Sequence, residues 1–177
     1  MPAVPRSIAR DNPVFVTVGT TSFDALVRAL DDEKIIDALV RKGFTGLILQ
    51  IGRGSYLPQN LRERNGFSVR VFTYAPSIDP EIASAGLVIS HAGAGSVFET
   101  LRSGTPLLVV VNEALMDNHQ VELAEELAGR GCLRWCVPGD LMEAIEGLAS
   151  DGSGFKREPY VAGECRFREA MEELLFG

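Results

Sequence analysis

The sequence predicts an α/β domain built on an open parallel sheet with helices on both faces. Six short runs rich in β-branched and apolar residues, at 14–18, 46–51, 69–73, 87–90, 107–111 and 133–137, read as strands. Several are apolar throughout instead of alternating, which is the pattern of strands covered on both sides. Helical patterns separate most of them. Strand-helix alternation implies right-handed crossovers and a Rossmann-like parallel sheet.

The elements follow in order. Residues 1–12 hold Pro2 and Pro5 and have neither an apolar signal-peptide core nor an Arg-rich transit character, so they read as a flexible leader to a domain at 13–150. After the first strand, Phe23, Leu26, Val27 and Leu30 form an apolar stripe. Ile35, Ile36, Leu39 and Val40 continue it through or beside the acidic turn Asp31-Asp32-Glu33. Val97 and Leu101, then Val121, Leu123, Ala124 and Leu127, then Leu141, Ile145 and Leu148 mark later helices. Gly152-Ser153-Gly154 opens a linker at 151–163. In the closing segment, 164–177, Phe167, Met171, Leu174 and Leu175 share one face of an amphipathic helix that packs on its own domain or docks a partner.

A chain of 177 residues with 46% hydrophobic content buries one sizeable core. Seventeen basic residues against 24 acidic ones give a net charge of −7, without the basic stripe that a nucleic-acid partner requires. The longest apolar runs, such as 106–111, fall far short of the roughly 20 residues of a membrane-crossing helix. The chain reads as soluble. Cys132, Cys136 and Cys165 are an odd set without a CxxC pair, which suits buried, reduced thiols in a cytosolic protein.

Open α/β sheets bind ligands beyond the carboxyl ends of their strands, which directs attention to 19–22, 52–56, 74–77, 91–96 and 112–120. In Ser90-His91-Ala92-Gly93-Ala94-Gly95-Ser96, small residues run from a strand into a helix. Gly93 and Gly95 admit a ligand close to backbone N–H groups, and Ser96 serves as N-cap or phosphate donor. A tight turn without a ligand would look the same. Glu99, three residues after Ser96, either folds back as a capping box or accepts the paired hydroxyls of a ribose. Gly19-Thr20-Thr21-Ser22 offers hydroxyls and an amide-rich turn, but neither a GxGxxG fingerprint nor a Walker A sequence, so a dehydrogenase is weakly supported. Asn118, His119 and Gln120 mix donors and acceptors in a way that suits sugar hydroxyls, and Asp117 or Asn118 would equally cap the helix that follows. His91 and His119, the two histidines, lack the matched carboxylate spacing of a metal site.

Residues 16–24, His91 to Ser96 with Glu99, Gly104-Thr105-Pro106, and Asn118-His119-Gln120 with Glu122-Leu123-Ala124 resemble, in register, the cytosolic catalytic subunit of the dolichol-linked UDP-N-acetylglucosamine transferase family. The resemblance covers about 14–148. It implies the C-terminal, donor-binding half of a GT-B glycosyltransferase of family 28 type. Such an enzyme inverts the anomeric carbon and uses neither a bound metal nor another cofactor. Its activity is transfer of N-acetylglucosamine from UDP-N-acetylglucosamine to N-acetylglucosaminyl-diphospho-dolichol at the cytosolic face of the endoplasmic reticulum, in N-glycosylation.

By position, the resemblance places Gly19, Thr20 and Thr21 by the diphosphate or donor sugar. Gly93, Ala94, Gly95 and Ser96 fall at the diphosphate, Glu99 at the ribose, Tyr74 at the uracil, and Asn118, His119 and Gln120 at sugar hydroxyls, while His91 in the same loop is read as orienting phosphate or sugar. It also implies a membrane-anchored partner that supplies the lipid-linked acceptor site, and the general base is expected there. Two further readings remain: a bacterial two-subunit UDP-sugar transferase acting on a polyprenyl-linked exopolysaccharide intermediate, and a non-catalytic nucleotide-sugar-binding module.

Overall fold

The computed structural model describes residues 11–64, 66–114 and 118–156. Six strands make one sheet: β1 (Pro13–Thr17), β2 (Gly46–Gln50), β3 (Ser68–Phe72), β4 (Leu87–His91), β5 (Leu107–Val110) and β6 (Arg134–Cys136). All five pairings are parallel, in the order β3-β2-β1-β4-β5-β6. Every strand boundary lies within one residue of the predicted run. The order of connection reverses between β1 and β4, and at such a switch point two adjacent loops diverge and leave a crevice.

Among the described residues six α-helices cover the sheet: α1 (Asp24–Leu30), α2 (Glu33–Arg41), α3 (Asp79–Ser84), α4 (Ala94–Ser103), α5 (Asn118–Gly129) and α6 (Leu141–Glu146). The two-residue period of the strands divides the core. Val14, Val16 and Val18 of the first strand and its exit pack with Leu26, Ile36, Leu141 and Ile145, which come from α1, α2 and α6. Phe15, Val88 and Val109 pack with Ile82, Val97, Leu101 and Leu127, from α3, α4 and α5.

The apolar stripe of 23–40 is two helices. Asp31 is the C-cap of the first and Asp32 the N-cap of the second, accepting a hydrogen bond from Lys34 N–H at 2.9 Å. The short α3 is not foretold by periodicity, because it buries only Ile82, though Pro80 in its first turn marks a helix start. Residues 151–156, read from the sequence as the start of a linker, instead pack on the domain. Gly152 N–H donates to Lys42 O at 2.7 Å, and Asn12, expected to end the leader, donates from Nδ2 to Gly152 O at 2.9 Å. Phe155 is 7% exposed, with the Arg134 guanidinium 4.8 Å above its ring. The rest of the expected leader (1–10), of the linker (157–163) and the closing helix (164–177) lie outside the described residues.

Cys132 and Cys136 are buried free thiols, and burial, with a contribution from the Asp140 charge, pushes Cys136 up to about 12. Among the described residues no helix is long and apolar enough to cross a membrane.

Candidate functional site

The switch point releases the two turns singled out in the sequence. After β1 the chain turns through Gly19, whose φ of 63° is left-handed and suits glycine. Gly19 N–H donates to Thr17 Oγ1 at 2.9 Å, and Thr21 Oγ1 donates to Val18 O at 2.9 Å. The turn is backed by the loop after β2, where Arg53 N–H donates to Thr21 O at 2.8 Å.

That loop is itself anchored along α1. Asp24 accepts from Ser55 Oγ at 2.6 Å. Asp31, 6% exposed, accepts from Tyr56 Oη at 2.6 Å and from the N–H groups of Gln59, Asn60 and Leu61 at 2.9, 2.7 and 3.0 Å. Burial alone would raise the Asp31 pKa, but the Gln59, Tyr56, Asn60 and Leu61 hydrogen bonds outweigh it and hold the carboxyl below its ordinary value.

After β4, α4 begins at Ala94 with Gly93 as its N-cap and no side-chain capping bond. Ser96 therefore lies inside the first turn and is not the N-cap, and the Ser96–Glu99 capping box does not form. The N–H groups of that first turn lack intrahelical acceptors, and together with the helix dipole they favour an anion. Glu99 is exposed and its carboxylate makes no hydrogen bond or ion pair among the described residues.

The two turns meet at His91. A Cβ on Gly93 would collide with its imidazole, and one on Gly19 would lie 2.8 Å from its Cε1. Burial lowers the His91 pKa, opposed in part by the Thr17 backbone, so the ring is neutral near pH 7. Its Nδ1 is sealed from solvent without a hydrogen-bond partner of good geometry among the described residues.

Gly19, Thr20, Thr21, Tyr74, His91, Gly93, Ala94, Gly95, Ser96 and Glu99 all line one cleft of about 460 Å³. Among the described side chains, His119 and Gln120 do not line it. They form the first turn of α5, where His119 Nδ1 stands 3.8 Å from Glu122 Oε2 on an exposed surface. Sequence reasoning missed Gln50, which lines the cleft from the end of β2, and Ile78, which follows the expected 74–77 loop on its rim. A polar residue closing an apolar strand at its carboxyl end was the available signal for Gln50.

The cleft has the size of a small-molecule site. It presents anion-seeking N–H groups and hydroxyls beside an unengaged carboxylate suited to paired hydroxyls. Such a sheet, with a crevice at its switch point, is an α/β domain of the kind found as the C-terminal half of GT-B glycosyltransferases.

Residues 13–174 match the model of the glycosyltransferase family 28 C-terminal domain, and the chain belongs to that family. It is 49% identical over 124 residues to the human UDP-N-acetylglucosamine transferase subunit ALG13, covering 70% of this chain but 11% of that protein. It is 31% identical over 201 residues to the Saccharomyces cerevisiae protein of the same name, covering 96% of this chain and 98% of that one. Thus it spans about a tenth of the human relative and nearly all of the yeast one. A solution structure of ALG13 superimposes with a TM-score of 0.68 at 25% identity, over 97% of this chain and 100% of that chain. Acinetobacter baumannii MurG shares the fold, with a TM-score of 0.56 at 18% identity, over 80% of this chain and 40% of that one.

Proposed function

We propose that this chain is the donor-nucleotide half of an inverting glycosyltransferase. It transfers N-acetylglucosamine from UDP-N-acetylglucosamine to N-acetylglucosaminyl-diphospho-dolichol, at the cytosolic face of the endoplasmic reticulum, together with a membrane-anchored acceptor-binding subunit. The observation that carries this reading is the convergence of the Gly19–Thr21 turn and the α4 N-terminus on one cleft at the switch point. The names of the relatives support UDP-N-acetylglucosamine as the sugar nucleotide.

In this reading the diphosphate lies between the two turns, Glu99 takes the ribose hydroxyls and the 74–78 rim holds the uracil. The acceptor hydroxyl attacks C1 of the sugar from the face opposite UDP, the bond from C1 to the diphosphate oxygen breaks, and the sugar inverts. The N–H groups and dipole of α4 stabilise the charge that grows on the departing UDP, and no metal is required for that task. The hydroxyl proton passes to a base within about 3 Å of it, supplied by the partner. Asn118, His119 and Gln120, at the start of α5, are assigned to the hydroxyls of the donor sugar.

The test is transfer of labelled N-acetylglucosamine to an N-acetylglucosaminyl-diphospho-lipid by the chain alone and co-expressed with a candidate membrane subunit. Activity confined to the pair supports the split enzyme. Activity of the chain alone overturns the partner requirement, and donor binding without transfer in either case points to another acceptor or to a binding module.

A further inference from the structure

The last rung of the sheet carries a buried polar row. Gln50 of β2 is in register with Thr17 of β1, and Thr17 with Ser90 of β4, so the three side chains share one face. They are 3%, 0% and 0% exposed. Ser90 satisfies itself, donating from Oγ to His91 O at 2.8 Å.

Thr17 fixes the orientation of Gln50. Its hydroxyl already accepts from Gly19 N–H at 2.9 Å, and its single proton goes to Gln50 Oε1 at 2.6 Å. A fully buried hydroxyl proton needs an acceptor, so the amide oxygen must face Thr17. The NH₂ group is thereby turned away from β1. It makes no hydrogen bond among the described residues, yet it is not sealed from solvent as His91 Nδ1 is. Gln50 lines the cleft, so its NH₂ group opens on the cleft floor, from a strand that lies between those leading to the Gly19–Thr21 turn and the 74–78 rim.

We infer that Gln50 is a donor-binding residue whose NH₂ group hydrogen-bonds the diphosphate of the nucleotide sugar, with Thr17 as the positioning residue that presents it. The inference rests on the donor-site reading above and adds a residue to it. A diphosphate is the fitting partner because its oxygens only accept, matching a group that only donates. The uracil edge alternates donors and acceptors and would leave one N–H opposed. The place of β2, beside the β1 turn, puts the amide next to the anion-seeking N–H groups.

The experiment is NMR titration of the full chain, wild type, Gln50→Glu and Gln50→Met, with UDP and with uridine, alongside thermal unfolding of each protein. Gln50→Glu keeps an oxygen for Thr17 and turns the other oxygen, charged, toward the cleft. Gln50→Met removes the donor without adding charge, and so remains informative where a buried carboxylate fails to fold. UDP affinity is expected to fall roughly ten-fold or more in either variant, the effect of losing a hydrogen bond to a charged group, while uridine affinity changes less than about two-fold. Unchanged UDP affinity, or equal weakening of UDP and uridine, overturns the assignment. A wild-type chain that binds neither ligand overturns the donor-site reading itself, and the inference with it.

Discussion

Gly19 and His91 are in such close contact that a Cβ on Gly19 would stand 2.8 Å from His91 Cε1, with the Gly19 backbone at a φ of 63°. A side chain at position 19 therefore meets two separate penalties, a left-handed backbone and a collision. Gly19→Ala is expected to lower stability by about 1–3 kcal/mol, of which the backbone part is about 1. The His91→Ala background removes the collision but not the backbone cost, so the double variant should lose less than the sum of the singles. Urea unfolding of the four proteins measures that coupling, and strict additivity would remove the steric account.

Glu99 offers a cleaner separation of fold from function. The α4 helix is entered at Gly93, so the Glu99 carboxylate is not spent on capping. Glu99→Ala should leave unfolding free energy within about 0.5 kcal/mol of wild type, as for a surface change away from special features. On the proposed reading, transfer by the chain with its membrane partner is expected to drop at least about ten-fold, because Glu99 would no longer bind the ribose hydroxyls. A matching loss of stability would restore a structural role to the carboxylate.

The same helix start shows where the sequence was legible and where it was not. Strands such as Leu107–Val110 were readable because burial on both faces forces a continuous apolar run. The turn 91–96 was readable because glycine and serine between a strand and a helix have few other uses. The N-cap was not, since Gly93 and Ser96 are both acceptable caps and backbone dihedrals decide between them. Gln50 escaped notice because one polar residue at a strand end carries no periodicity, and its meaning depends on register with Thr17, 33 residues away. The sequence marks Asp31-Asp32-Glu33 only as an acidic turn, whereas Asp31 is a buried acceptor for a whole loop. That role is set by tertiary contacts with 56–61.

Asp31 predicts an acid-sensitive loop. Its folded pKa is lowered below the ordinary value of 3.8, so its contribution is fully present above that value and is lost as pH falls through the folded pKa. Asp31→Asn replaces an acceptor by a donor facing N–H and O–H groups, and is expected to cost about 2–3 kcal/mol near pH 7. The gap between wild type and Asp31→Asn should be flat above about pH 5 and shrink below about pH 4. Because the loop backs Thr21 through Arg53, UDP affinity should fall with it. Chemical denaturation across pH, with UDP titration at pH 7, checks both. A gap that persists unchanged into acid would mean that the charge is not what holds the loop.

His91 predicts a pH dependence in a different window. Burial lowers its pKa from 6.5, so on acidification the unfolded chain takes up a proton first. Stability attributable to this residue is complete above about pH 6.5 and falls as pH drops from there toward the folded pKa, with a slope limited to about 1.4 kcal/mol per pH unit. His91→Asn removes the titrating group, and the difference between its unfolding free energy and that of wild type should vary as pH falls below about 6.5 and flatten above it. A bound diphosphate beside the ring favours the charged imidazole. UDP binding to wild type near pH 6 should then take up protons, seen as a dependence of binding enthalpy on the buffer's heat of ionisation, and His91→Asn should lose that dependence. Buffer-independent binding by wild type would place the anion away from His91, and with it away from the point where the two turns meet.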